Sequence, residues 1–327
     1  MNAVEPLLAI DDLQVEFRTP ERTLRAIQGV SLSVAPGEFL GIVGESGCGK
    51  TVTGLSVLGL LPRTAVITGG SVRFDGQDLL QLDPKAMREI RGHRISMIFQ
   101  DPTSSLNPVF TIGSQLERVM EEHLGLSGSE ARQKALDSLA AVGLSDVERI
   151  RKAYPHQLSG GQKQRCMIAM ALSCEPALLI ADEPTTALDV TIQAQILTLL
   201  RDLQQRLDIA VVLITHDLGV VAQVCDRIAV LYAGRVVELG PREAFSHPAH
   251  PYTRGLLNAI PRADVDRGRL APIPGTVPAD PGAVVGCAFA PRCPFVIDRC
   301  REETPTLDEL ETGHAAACFR AEEVAQA

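Results

Sequence analysis

The chain contains no tryptophan and only three tyrosines, and it lacks any excess of basic charge: 31 Lys and Arg face 40 Asp and Glu, a formal net charge of −9. Surfaces that hold nucleic acid carry a basic patch or stripe, often interleaved with aromatic rings, so this composition argues against a nucleic-acid partner. Also missing is an apolar run near the ~18 residues that a membrane-spanning helix needs. The N-terminus shows no basic n-region followed by an apolar h-region, so the expectation is a chain that stays in the cytoplasm. Internal repeats and low-complexity segments are absent too. What is present is ample: 327 residues at 45% hydrophobic content support a large core and one or two domains.

Residues Gly44-Glu45-Ser46-Gly47-Cys48-Gly49-Lys50-Thr51 match the phosphate-loop pattern G-x-x-x-x-G-K-[ST] at every fixed position. The glycines let the backbone curl so that successive N–H groups point at phosphate oxygens. Lys50 adds a charge for the β- and γ-phosphates, and the Thr51 hydroxyl can ligate Mg²⁺. The context agrees, because 39–43 reads as a short buried strand and 51–61 as a helix whose positive N-terminal end faces the bound anion.

Farther along, Ser159, Gly160, Gly161 and Gln162 follow Leu158 and open a helical stretch running to about Cys174. A serine hydroxyl, exposed amides and a helix N-terminus make a second phosphate site, this one without a lysine. Residues 177–181 then read as a buried strand ending in Asp182, Glu183 and Pro184. With these motifs in this order the sequence closely resembles the ATP-binding subunits of ABC transporters, over essentially all of residues 7–320.

That resemblance implies a role for each matching residue. Asp182 resembles the carboxylate that orients Mg²⁺ and its water, and Glu183 the base that polarises the attacking water. Phosphoryl transfer needs mostly positioning and charge neutralisation, with one group to orient the nucleophile, which suits that division. Gln100, after the apolar run 95–99, resembles the glutamine that contacts Mg²⁺ or water and senses the γ-phosphate. His216, after the strand-like run 210–215, resembles the switch histidine that reaches the γ-phosphate. Ala187, Leu188 and Asp189 resemble the loop that touches the opposite subunit. Taken singly, Asp182 and Glu183 could end a strand and His216-Asp217 could cap a helix; their order after successive strands favours the catalytic reading. Phe17 resembles the aromatic that stacks on adenine, yet its alternation with Leu13 and Val15 equally suits the inner face of a strand.

The motifs also divide the chain. Residues 7–99 alternate strand-like runs with one phosphate-loop helix, including a turn at Thr19-Pro20-Glu21-Arg22. Runs 112–124 and 130–142 have helical apolar spacing, with Gly125 and Gly143 as stops, so a helical subdomain over about 101–175 is expected. From 177 to 239 strands and helices alternate again, as in a doubly wound core. The expected fold is α/β: an ABC-type nucleotide-binding domain of the phosphate-loop NTPase class over 1–260, with an antiparallel β subdomain, the inserted helical subdomain, and a cysteine-containing tail over 261–327.

Two further blocks narrow the resemblance to the peptide and nickel import branch of the family. One is Asp101-Pro102-Thr103-Ser104-Ser105-Leu106-Asn107-Pro108, the region that receives coupling helices from membrane subunits in that branch. The other joins His247-Pro248-Ala249-His250-Pro251-Tyr252-Thr253-Arg254 to the proline-rich 272–278. Cys287, Cys293, Cys300 and Cys318 then fall within the last 41 residues, spaced by five, six and seventeen intervening residues. In a cytosolic chain four clustered thiols suit a metal or cluster better than disulfides. The branch carries a similar tail, which implies a 4Fe-4S cluster; zinc and free thiols are the alternatives. Ligation would supply the ordering energy for a segment poor in apolar residues. Cys166, Cys174 and Cys225 read as packing residues, and Cys48 as a thiol that could react because it borders a phosphate site.

The resemblance implies an ATPase active only as a dimer, because in this fold the second phosphate motif lies far from the chain's own Lys50 and completes the site of another subunit. The implied partners are a second ABC ATPase subunit, identical or related, two transmembrane permease subunits at the cytoplasmic face of the cell membrane and, indirectly, an extracytoplasmic solute-binding protein. Di- or oligopeptides are the first expected cargo and nickel or another small solute the second. A soluble ABC ATPase of DNA repair or translation would usually carry two such domains or a DNA-directed zinc insertion, and neither is visible.

Overall fold

A computed structural model describes residues 5–101, 105–186, 188–260 and 273–326. Two compact units emerge: one comprises 1–34, 40–80 and 214–327, the other 35–39 and 81–213.

The first unit opens with an antiparallel sheet of β1 (Leu8–Arg18), β2 (Thr23–Val34), β4 (Ala65–Phe74) and β5 (Gln77–Asp78), in the order β2-β1-β4-β5. Leu8, Ile10, Leu13 and Val15 of β1 are buried, as are their partners Val34, Leu32, Val30 and Ile27 on β2. Strict alternation would have turned Leu13 outward, since it stands three residues after Ile10. An irregularity at Asp12, whose φ is 47°, takes up the extra residue and returns Leu13 to the inner face. Between these strands run β3 (Phe39–Val43), buried throughout, and α1 (Lys50–Val57), which starts one residue earlier and ends four residues sooner than its sequence pattern suggests.

The second unit holds α2 (Pro84–Ile90), β6 (Ile95–Ile98), α3 (Ile112–Leu124), α4 (Gly128–Ala141), α5 (Val147–Lys152), α6 (Gly160–Leu172), β7 (Leu178–Asp182), α7 (Val190–Leu207) and β8 (Ala210–Thr215). β6 and β7 pair in parallel, Ile95 opposite Leu178 and Ile98 opposite Ala181, with β8 on the other side of β7. β7 and β8 are buried at every position, as parallel strands covered on both faces are. α3 buries Ile112, Leu116 and Met120, one residue per turn, and α4 buries Ala131, Ala135 and Leu139. Gly125 and Gly143 end these helices in left-handed backbone, at φ 66° and 74°, so both stops expected from sequence are present.

The chain then completes the first unit with α8 (Leu218–Val224), β9 (Arg227–Tyr232), β10 (Arg235–Pro241), α9 (Pro251–Asn258), α10 (Arg299–Glu302), β11 (Asp308–Glu311), β12 (His314–Ala316) and α11 (Ala321–Gln326). β9 runs parallel to β3 and antiparallel to β10. The tail extends this sheet, β12 pairing with β10 at Glu238–Ala316 and Leu239–Ala315, and β11 pairing with β12. β11 is exposed at all four positions, three of them acidic, and charge of this kind discourages further pairing at a sheet edge. Among the described residues no helix is long and apolar enough to cross a membrane.

Candidate functional site

In the first unit, β3 delivers the chain into the 44–51 loop. Gly49 precedes α1 with φ 107°, a backbone conformation that favours glycine, and a Cβ there would come within 2.5 Å of Ile27 Cδ1. No side chain caps α1, and a helix start of this kind suits an anion. The crest of the loop, Ser46 and Gly47, is exposed, as is Thr51. Lys50 is only 5% exposed and its Nζ donates to Gly44 O at 2.7 Å and Glu45 O at 3.1 Å. These carbonyls aim the ammonium along the loop, where a phosphate would be a stronger, charged acceptor. The curled backbone, the uncapped helix start and the lysine together fit an oligophosphate.

Cys48 is fully buried in the same loop, and burial raises its thiol pKa while Lys50 opposes the rise. It is therefore a packing residue rather than a reactive one, contrary to the sequence expectation. Phe17 is half-buried near the end of β1, opposite Leu24 of β2. His216 is exposed just after β8, and Asp217 caps α8 by accepting from Gly219 N and Val220 N. The cap therefore belongs to Asp217 and not to His216.

Glu45 acquires partners that no local motif announced. Its N–H donates to the Tyr252 hydroxyl at 2.7 Å, and its carboxylate meets the Arg292 guanidinium at 2.7 and 3.0 Å. Tyr252 lies in a block that the sequence offered only as a family marker. It sits on α9, capped by His250, whose Nδ1 accepts from Tyr252 N at 3.1 Å. Burial pushes the His250 pKa down from 6.5 to about 4, against the pull of Glu238. The folded chain thus holds His250 neutral whereas the unfolded chain protonates it below its ordinary value. Stability is full above about pH 6.5 and falls, by about 3 kcal/mol in all, as the pH drops to about 4. In urea denaturation the wild type should lose about 2 kcal/mol more than His250→Asn between about pH 7 and about pH 5, because asparagine keeps the cap without titrating. Equal losses would contradict this.

In the second unit, Gln100 and Glu183 meet across 83 residues of sequence. Gln100 Nε2 donates to Glu183 Oε2 at 3.0 Å, and Thr186 Oγ1 donates to the same oxygen at 2.8 Å. Glu183 adopts φ 45°, a conformation that a non-glycine residue holds only where its surroundings fix it. Asp182, 3% exposed, ends β7. Ser159 and Gln162 form a reciprocal capping box at the start of α6, the Ser159 Oγ accepting from Gln162 N and the Gln162 Oε1 from Ser159 N. A Cβ on Gly161 would lie 3.3 Å from Ile192 Cγ2, so that helix start packs against the first turn of α7, where Asp189 is the cap. Gly160 lies beside Leu188. Ala187 of the expected contact loop, Pro102, Thr103 and Ser104 of the loop after Gln100, and Pro272 all lie outside the described residues.

The four tail cysteines require a correction. Among the described residues no group of three or more His, Cys, Asp or Glu side chains could hold a metal ion, so neither the expected 4Fe-4S cluster nor its zinc alternative stands. Burial raises the thiols of Cys287, Cys293 and Cys318, the last to about 11, which keeps them protonated near neutral pH. The tail finds its ordering elsewhere. β12 adds to β10, and Cys318 packs on a small cluster of Ala249, Ala316 and Ala321. The fully buried Glu238 accepts from Ala249 N and His250 N and meets His314 Nε2 at 2.9 Å.

A phosphate loop between a buried strand and a helix defines the class of phosphate-loop nucleotide-binding proteins. Residues 27–186 match the model of the ABC transporter family, and 237–300 that of the oligopeptide/dipeptide transporter C-terminal region. A probable peptide ABC transporter ATP-binding protein of Sinorhizobium fredii is 55% identical, over 97% of this chain and 96% of the relative. The dipeptide transport ATP-binding protein DppD of Bacillus subtilis is 50% identical, over 97% and 95%; that of Escherichia coli is 49% identical, over 95% and 96%. Among solved structures, the dimeric cassette MJ0796 bound to ADP and Pi gives a TM-score of 0.65 at 31% identity, covering 72% of this chain and 98% of the cassette. cbiO1 of Clostridium perfringens gives 0.63 at 29%, covering 74% and 91%. The chain belongs to the ABC transporter family as an ATP-binding subunit, an ATPase coupled to transport.

Proposed function

We propose that this subunit powers the import of di- or oligopeptides. The observation that carries the reading is full-length similarity to peptide and dipeptide transport subunits, including the C-terminal region that bears their name. The ATPase domain is 1–260, with a helical subdomain at about 101–175, and 261–327 is its tail. In the catalytic cycle the curled backbone of 44–51 and the Lys50 ammonium bind the phosphates, and Phe17 stacks on the adenine. Mg²⁺ supplies charge neutralisation at the phosphate oxygens, and Thr51, Gln100 and Asp182 would hold it. Glu183 takes a proton from the attacking water. Gln100 and Thr186, by donating to one of its oxygens, hold the carboxylate in place for that task. His216 reaches the γ-phosphate.

Ser159, Gly160, Gly161 and Gln162 serve the ATP held by a second ABC ATPase subunit, and Asp189 touches that subunit. The dimer closes on ATP and reopens on hydrolysis, driving two permease subunits from the cytoplasmic face of the membrane. A solute-binding protein delivers the cargo on the other side. The dimeric form of the related MJ0796 cassette supports this arrangement. The experiment is uptake by the reconstituted assembly, with peptides set against Ni²⁺.

A further inference from the structure

Arg292 is buried, its side chain 4% exposed, and it lies 247 residues from Glu45 in sequence. Its Nη1 and Nη2 grip the two carboxylate oxygens of Glu45 in the paired geometry that only a guanidinium offers. Its Nε donates to Pro274 O at 2.8 Å, and Nη1 also donates to the Tyr232 hydroxyl at 3.3 Å. The guanidinium carbon lies 5.8 Å from the Tyr232 ring centre and 5.7 Å from that of Phe289. These two rings and Tyr252 form one cluster, and Tyr252 is the residue that accepts the Glu45 N–H. Both the amide and the carboxylate of a phosphate-loop residue are thus held from outside the loop.

The charge has a chemical consequence. A carboxylate inside a loop that binds several negative charges would repel them unless it were neutralised. We propose that Arg292 is a positioning residue for nucleotide binding: by holding Glu45 it keeps that carboxylate off the ATP phosphates and the loop curled for them. The proposal rests on reading 44–51 as the ATP site. It makes the C-terminal tail a working part of that site.

The test measures affinity for a fluorescent ATP analogue in the full chain, and KM and kcat for ATP in the assembled transporter. Arg292→Gln should raise Kd and KM on the order of tenfold while kcat stays within about twofold, the mark of lost binding rather than lost chemistry. Adding Glu45→Gln to Arg292→Gln should recover most of the affinity, since the unneutralised charge is gone. Arg292→Lys, which keeps the buried charge and loses the fork, should fall between wild type and Arg292→Gln. Unchanged affinity in Arg292→Gln, a double variant no better than the single one, or Arg292→Lys as weak as Arg292→Gln would overturn the proposal. Lys50→Ala serves as the control. If it binds nucleotide like the wild type, the reading of the loop fails; if it loses binding while Arg292→Gln does not, only this inference fails.

Discussion

Glu183→Gln lowers ATP turnover by at least about 10²-fold while leaving ATP binding intact, the scale of a lost general base. The substitution isolates chemistry from geometry. Gln100 and Thr186 both donate to Glu183 Oε2, and an amide oxygen can accept the same two bonds. The strained φ of 45° is a property of the backbone turn after β7, so it survives the change. What the amide cannot do is take a proton from water. Turnover at the wild-type rate would show that Glu183 is not the base.

Lys50→Ala has its effect one step earlier. The lysine is buried and its ammonium satisfies two loop carbonyls, so alanine leaves Gly44 O and Glu45 O without that donor and removes the charge meant for phosphate. Charge-assisted hydrogen bonds contribute about 1.5–3 kcal/mol each, so ATP affinity should fall about 10²-fold or more. Equilibrium binding with a fluorescent analogue, beside a thermal melt to show that the fold persists, measures it. A Kd within about threefold of wild type would contradict the assignment.

The motifs that hold these two residues are legible in the sequence because their signals are local. The octapeptide around Lys50 carries its own glycine pattern, and Glu183 stands two residues after the end of the apolar run 177–181, which reads as a buried strand. Gly125 and Gly143 marked helix stops for the same reason: a left-handed residue after a helical run is read within one turn. What was missed depends on pairing across long separations. Arg292 holds Glu45 from 247 residues away, and neither residue's neighbours hint at the other. The tail cysteines were misread through a sound but incomplete premise, that a segment poor in apolar residues needs a metal to order it. The ordering comes instead from β12 hydrogen-bonding to β10 and from the buried Glu238, which gathers Ala249 N, His250 N and His314. Sequence alone cannot show that three groups converge on Glu238.

The central claim is that ATP turnover at this subunit drives peptide import, and uptake tests it most directly. The assembly of this chain, its partner ATPase and two permeases is reconstituted in vesicles, with a solute-binding protein presenting labelled di- or oligopeptides and, separately, Ni²⁺. Labelled peptide should accumulate only with ATP, and accumulation should cease with Glu183→Gln. Hydrolysis by the wild-type assembly without peptide accumulation, or accumulation of Ni²⁺ in its place, would contradict it.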